Sequence, residues 1–71
     1  MVVMIEWNPQ PWAKPQNIWV EYVPIRRAAS KIGRRTDGLR RILEQKGKYE
    51  TGFATVYTKE GAQREGKWID A

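Results

Sequence analysis

The sequence contains no cysteine and no histidine. Disulfide bonds and thiolate chemistry are therefore excluded, and zinc would find neither the sulfur nor the nitrogen ligands that it usually takes. The chain also lacks a glycine-rich loop that could cradle phosphates, and it has no carboxylate pair on a recognisable catalytic scaffold. We therefore predict that the protein is not an enzyme and that it carries no cofactor and no metal.

Long apolar runs are absent as well. No stretch approaches the roughly 18 apolar residues that a membrane-crossing helix needs. The opening MVVMIEW is short, and Glu6 interrupts it too early for a signal peptide. We therefore expect a cytoplasmic protein with no membrane partner.

Aromatic residues are plentiful by comparison, with four tryptophans, three tyrosines and one phenylalanine in 71 residues. A chain this short forms one domain at most and buries only about 60% of the surface that it exposes when unfolded. Large aromatic side chains compensate for a thin core. We expect Trp7, Trp12 and Trp19 to pack in the core or on a sheet, and Trp68 to close the sheet against the helices.

Acidic residues are scarce in one stretch, "RRAASKIGRRTDGLRR" at residues 26–41. Seven basic residues stand there against one acid, Asp37, for a local charge of +6, whereas the whole chain carries +5. The remaining six basic and seven acidic residues therefore sum to −1. A solvated helix face is the alternative explanation, but such faces usually intersperse acids. A localised basic segment indicates a localised anionic partner.

The start of the chain divides into an arm and a strand. Residues 1–17 combine an apolar opening with prolines at positions 9, 11 and 15, which favour extended backbone, and we interpret them as an N-terminal arm. The next residues, NIWVEYVP, alternate as a short strand that ends at Pro24. Residues 18–71 would form the folded domain.

Two helices are predicted after this strand. Ile25, Ala28, Ala29 and Ile32 recur at helical spacing, with Gly33 just past the end. A second helix begins after Gly33-Arg34-Arg35, with Thr36 as N-cap, and it ends at Gly47. Its buried side would carry Leu39, Ile42 and Leu43, which turns Arg40, Arg41 and Glu44 towards solvent.

The rest of the chain is predicted to be a β-hairpin. GFATVYT alternates as a strand, KEGA resembles a turn in which Gly61 takes positive φ, and QREGKWIDA would return as the second strand. The predicted fold class is α+β, a small winged helix-turn-helix. Its two short helices are followed by the hairpin wing, and the N-terminal strand completes a small antiparallel sheet.

A helix-turn-helix protein places its second helix in the DNA major groove. We expect Arg40 and Arg41 to read bases, since arginine binds guanine O6 and N7 in bidentate fashion. Glu44, Lys48 and Asp37 complete the outer face of that helix. Arg34, Arg35 and Thr36 at the helix N-terminus suit phosphates, and Arg26, Arg27 and Lys31 would touch the flanking backbone. The wing candidates are Lys59, Gln63, Arg64 and Lys67.

The segments "VPIRRAASKIGRRTDGLRRILEQKGKY" and "GFATVYTKEGAQREGKWIDA" resemble the small phage excisionases, or recombination directionality factors, and the wider excisionase-like winged helices. Within them, "AASKIG" is similar to the first helix and "LRRILEQKG" to the recognition helix. The resemblance implies an architectural protein without catalysis of its own that binds repeated double-stranded DNA sites cooperatively. Such a protein bends attachment-site DNA and directs a phage integrase towards excision, and it can also act as a repressor. The resemblance thus implies the cytoplasm of a bacterial or phage-infected cell.

Two further hypotheses stay open beside this one. The protein could bind single-stranded nucleic acid, with tryptophans as stacking platforms beside an arginine groove. It could instead be a small phage protein that binds a host protein through the arm.

Overall fold

The computed structural model describes residues 1–8 and 19–68. These residues form a small α+β fold with a four-stranded antiparallel sheet and three helices. In chain order the elements are β1 (Val2–Trp7), β2 (Trp19–Pro24), α1 (Ile25–Ile32), α2 (Thr36–Lys46), β3 (Lys48–Glu50), β4 (Ala54–Tyr57) and α3 (Lys59–Arg64). The strand order is β2-β1-β4-β3. The predicted α+β class is therefore confirmed, while the winged arrangement is not.

The first strand corrects the prediction of an N-terminal arm over residues 1–17. β1 is a central strand, paired with β2 on one side and with β4 on the other. Val3, Met4 and Ile5 are completely buried. The apolar run at residues 2–5 lacks the alternation of apolar and polar residues that indicates a half-buried strand. A strand that is covered on both faces does not need this alternation. The proline-rich part of the predicted arm, residues 9–17, lies outside the described residues.

The two faces of the sheet have different coverings. On the face that we call the helix face, Val3, Ile5 and Val56 pack against α1 and α2. On the opposite face, called the α3 face, Met4 and Tyr57 pack against Ala62 of α3. Because side chains alternate along a strand, β1 divides its apolar residues between both layers.

The two predicted helices and their bend are confirmed. α1 ends at Gly33, which takes the left-handed conformation with φ 73°, and α2 begins three residues later. Ala28 and Ala29 of α1 and Leu39 and Leu43 of α2 are buried together. The predicted cap is corrected, because Arg35 occupies the N-cap position of α2 and no side chain caps that helix. Thr36 is instead the first helical residue.

The C-terminal hairpin is also corrected. Residues 52–58 do contain a strand, β4, but it pairs with the short preceding strand β3 through a tight connection at residues 51–53. The predicted turn and most of the returning strand form α3 instead. Thr58 caps this helix, since its side-chain oxygen accepts a hydrogen bond from the Gly61 N–H at 2.9 Å. The last residues of the predicted strand, 69–71, are not described.

Gly61 lies in a helix and not in the turn that was predicted for it. Among the described glycines, only Gly33, Gly47 and Gly66 have positive φ, so Gly61 does not form a left-handed turn. It lies within α3 at the point where this helix meets the end of α2, and it is buried. Glycine is needed here because it permits a close approach of two backbones.

Within the described part of the chain no helix could cross a membrane. The longest of these helices, α2, has 11 residues.

Candidate nucleic-acid interface

The six arginines of residues 26–41 all lie exposed on the outer side of α1, α2 and the turn between them. The exposed positions are Arg26, Arg27, Arg34, Arg35, Arg40 and Arg41. The two helices that carry these arginines are fixed to the sheet, because Ile25, Ala29 and Leu39 bury their side chains against its helix face. The fold thus presents the charge on a rigid support rather than on a free tail.

One group of these arginines lines a groove between α1 and the first turn of α2, which we call the Arg40 groove. Arg26, Arg27 and Arg40 surround it, together with the hydroxyl side chains of Ser30 and Thr36. The groove has a volume of about 730 Å³, and no acidic residue of the described chain lines it. Three guanidinium groups and two hydroxyl groups around one depression suit the oxygens of a phosphate backbone.

The other group lines a second depression, which we call the Arg41 groove. Arg34, Arg35 and Arg41 surround it, with Asp37 and the bare backbone of Gly38. Its volume is about 490 Å³. Three arginines and a single acid leave this groove positive as well.

Arg40 and Arg41 are therefore adjacent in sequence but line different grooves. Around α2, successive residues are separated by about 100°, so that Arg40 and Arg41 lie at about 100° and 200° from the buried Leu39. Asp37, at about 160°, joins Arg41 on the outermost ridge of the helix. The prediction that Arg40, Arg41 and Glu44 face solvent is confirmed. The structure adds that α2 has one arginine-lined groove on its flank towards α1 and a second one around its outermost ridge.

Internal partners hold only some of the basic side chains. Arg34 lies over the ring of Tyr49, 4.9 Å from its centroid, and donates a hydrogen bond to its hydroxyl at 3.2 Å. Arg35 is 3.6 Å from Asp37, and both side chains are largely exposed. The side chains of Arg26, Arg40 and Arg41 form no ion pair or hydrogen bond with any described residue. Their charges are available to a partner.

Lys31 forms an ion pair with a residue of the sheet. Its ammonium group lies 2.9 Å from the Glu21 carboxylate of β2. Glu21 also accepts a hydrogen bond from the Trp7 indole N–H at 2.5 Å. The Lys31 hydrogen bond, with help from Trp7, lowers the pKa of Glu21. Lys31 thus supports the junction of α1 with the sheet rather than facing outward with the arginines.

Lys48 does not belong to the outer face of α2, which corrects its predicted place. It is the register partner of Tyr57 and so points to the α3 face of the sheet. Its ammonium group lies 3.2 Å from Glu50 and 3.6 Å from Glu65, and these carboxylates raise the pKa of Lys48. The Lys48 ammonium group is thus paired with carboxylates within the protein.

The prediction of DNA contacts from a hairpin wing is also corrected, because the residues assigned to the wing lie on or just after a helix. Lys59, Gln63 and Arg64 lie on α3, which packs on the face of the sheet opposite to α1 and α2. Lys67 follows α3 and donates hydrogen bonds to Glu6 at 3.0 Å and to the Tyr57 hydroxyl at 3.1 Å. Both partners raise the pKa of Lys67. None of the four residues is at a hairpin tip.

Sequence reasoning missed Ser30 as a lining residue of the Arg40 groove. It lies one helical turn after Arg26, so the helical spacing could have identified it.

The described residues contain no cluster of three or more side chains that could hold a metal ion. Comparison of the chain with protein-family models, with curated proteins and with solved structures finds no match. The excisionase resemblance therefore stays a prediction from the sequence.

Proposed function

We propose that this protein binds double-stranded DNA by placing α2 in the major groove. The observation that carries the proposal is the pair of arginine-lined grooves along one exposed helix, one beside α1 and the other around the outermost ridge of α2. A helix with its side chains is about 10–12 Å wide, and the major groove of B-DNA is about 12 Å wide. A helix inserted there has a phosphate backbone on either side.

The separation of Arg40 from Arg41 divides their roles. Arg40 joins Arg26 and Arg27 in a groove without acids, which suits one phosphate backbone. Arg41 lies on the outermost ridge of α2 beside Asp37, the position from which side chains reach base edges. An arginine on this ridge recognises guanine, and an aspartate accepts a hydrogen bond from cytosine N4. We therefore assign base readout to Arg41 and phosphate binding to Arg40.

A salt titration tests the electrostatic part of this function. If about six phosphates are neutralised, the logarithm of the binding constant falls against the logarithm of the salt concentration with a slope near −5. Fluorescence anisotropy with a labelled duplex measures that slope. A binding constant that does not respond to salt would contradict the proposal.

Three single substitutions test the geometry. Arg41→Ala is expected to relax the sequence preference by about 1–3 kcal/mol, and Arg26→Ala is expected to weaken binding to all sequences alike. Arg64→Ala is the matched control, because it removes the same charge from an exposed α3 side chain that lines neither arginine groove. For each of the three variants, the affinity and the sequence preference are measured with a pool of duplexes of randomised sequence. Equal losses for all three variants would show non-specific charge attraction only.

The roles of architectural factor in excision and of repressor rest on the resemblance of residues 23–49 and 52–71 to the excisionases. Both would use the same duplex-binding surface. A circular-permutation gel shift tests DNA bending, and an excision assay with the cognate integrase tests the partnership. Straight DNA in the complex would leave a repressor as the remaining role.

A further inference from the structure

Three aromatic side chains, which we call the aromatic row, follow one another across one end of the sheet. Trp19 on β2 and Trp7 on β1 are register partners, and Trp7 is paired in turn with Ala54 of β4. Phe53 precedes Ala54, and its ring stacks on Trp7 with centroids 6.0 Å apart and planes 25° apart. Because register partners share a face, Trp19 and Trp7 both point to the helix face.

The row is held firmly at its middle. Trp7 is half-buried against the core, and its indole N–H is bonded to Glu21. The backbone N–H of Asn8 donates to the Phe53 carbonyl at 2.9 Å, which fastens the end of β1 to the tip of the β3–β4 hairpin. A fixed ring presents a stacking surface without further loss of conformational freedom on binding.

The two outer rings remain in solvent. Trp19 is 67% exposed, the highest value among the large hydrophobic residues of the described chain, and Phe53 is 40% exposed. Both tryptophans lie on the sheet, in agreement with the expectation of core or sheet packing, but Trp7 packs against the core whereas Trp19 lies outside it. Trp12 lies outside the described residues, and Trp68 packs on the α3 face against Tyr22. An exposed tryptophan beside a fixed aromatic pair offers a flat surface to a ligand.

The surroundings of the row favour a negatively charged ligand. The acid nearest to it, Glu21, is already paired with Lys31 near the end of α1. The chain continues from Lys31 into the turn with Arg34 and Arg35, and Arg34 reaches Tyr49 of the β3–β4 hairpin. The aromatic row and the arginine turn thus lie at the same end of the sheet. Aromatic rings beside arginines match a nucleic-acid strand, whose bases stack while its phosphates bind the charges.

We propose that the aromatic row stacks an unpaired nucleobase of a strand that leaves the duplex beside α2. The preferred ligand is then a duplex that adjoins a single-stranded segment, and this inference rests on the proposed function. The duplex part occupies the two arginine grooves. The first unpaired base beyond it lies on Trp19.

The experiment compares a blunt duplex with the same duplex carrying a short single-stranded extension that contains 2-aminopurine. A third DNA has an abasic extension, which keeps the phosphates and removes the bases. The protein is expected to bind the extended duplex about tenfold more tightly than the other two, because base–aromatic stacking contributes on this scale. Quenching of the 2-aminopurine fluorescence reports the stacking directly.

Two variants identify the surface. Trp19→Ala is expected to abolish the tenfold preference and the quenching while its affinity for the blunt duplex stays unchanged. Tyr22→Ala is the matched control, since Tyr22 is 46% exposed on the same strand but on the opposite face. It is expected to keep both the preference and the quenching. Circular dichroism verifies that each variant remains folded.

The failures of the two proposals can be told apart. Equal affinity for the blunt and extended duplexes, or a preference that Trp19→Ala retains, overturns the stacking inference and leaves the proposed function standing. Trp19-dependent binding to single strands without binding to blunt duplex supports the stacking surface and overturns the proposed function. Absence of binding to every DNA overturns both.

Discussion

Gly61 of α3 lies directly against the carbonyl group of Gly47, the residue that ends α2. A Cβ atom added to Gly61 would fall far inside van der Waals contact with that carbonyl oxygen. The Thr58 N–H donates to the same oxygen at 3.0 Å, so the carbonyl is held in place. This contact joins the end of α2, on one side of the sheet, to α3 on the other.

Gly61→Ala should therefore destabilise the protein by about 2–4 kcal/mol, because neither backbone can move away without breaking the cap of α3. Urea unfolding followed by circular dichroism measures the change. Gly52→Ala is the control, since no atom lies within 4 Å of a Cβ at that position. Equal stabilities of the two variants would mean that α3 does not dock here.

Gly38→Ala is expected to stabilise the protein by about 0.5–1 kcal/mol. Gly38 lies in the first turn of α2, and an added Cβ would meet only the Arg34 side chain at 3.8 Å, an ordinary contact. Alanine favours the helix more than glycine does. The same substitution at Gly33, whose φ is 73°, should destabilise instead. Thermal unfolding of both variants tests the pair, and a loss of stability in Gly38→Ala would contradict the helix start at Thr36.

Lys67→Met should lower the free energy of unfolding by about 1 kcal/mol at neutral pH, because it removes the hydrogen bonds to Glu6 and Tyr57. The raised pKa of Lys67 means that this stabilisation is complete below the usual lysine pKa of 10.5 and is lost as the pH rises through the raised value. DNA affinity is expected to stay unchanged, since Lys67 belongs to the α3 face. A marked loss of affinity without a loss of stability would restore Lys67 as a DNA contact.

Glu21→Gln tests the junction of α1 with the sheet. The lowered pKa of Glu21 implies stabilisation that is present above the usual glutamate value of 4.5 and is lost as the pH falls through the lowered pKa. The variant should be less stable than the parent by about 1 kcal/mol at pH 7, and the difference should vanish in acid. Glu44→Gln removes the same kind of carboxylate from an exposed position on α2 and is the control. Urea titrations at the two pH values give the comparison.

Arg40→Ala should weaken binding to every duplex alike, as is expected of Arg26→Ala, because both side chains line the Arg40 groove. A double-mutant cycle of Arg26 and Arg40 should show coupling, whereas Arg26 and Arg41, which line different grooves, should be additive. Binding constants for two unrelated duplexes supply the measurements. A change of sequence preference in Arg40→Ala would place Arg40 among the base-reading residues.

Local patterns were sufficient for the centre of the chain. The apolar spacing of residues 25–43 predicted both helices, and Gly33 predicted the bend, because each depends on side chains within one or two helical turns. The outward direction of Arg40 and Arg41 followed from the same spacing. The amino-acid sequence by itself therefore determined that a dense positive charge stands on two short helices.

Tertiary structure decided the rest. β1 became a central strand only through pairing with Trp19–Pro24 and Ala54–Tyr57, which a local pattern does not contain. α3 replaced the predicted strand because Gly61 fits against Gly47 and Ala62 is buried beside Met4. The division of the arginines between two grooves likewise required the packing of α1 beside α2. Contacts between residues distant in sequence, formed by close packing, determined where the charges and the aromatic rings finally lie.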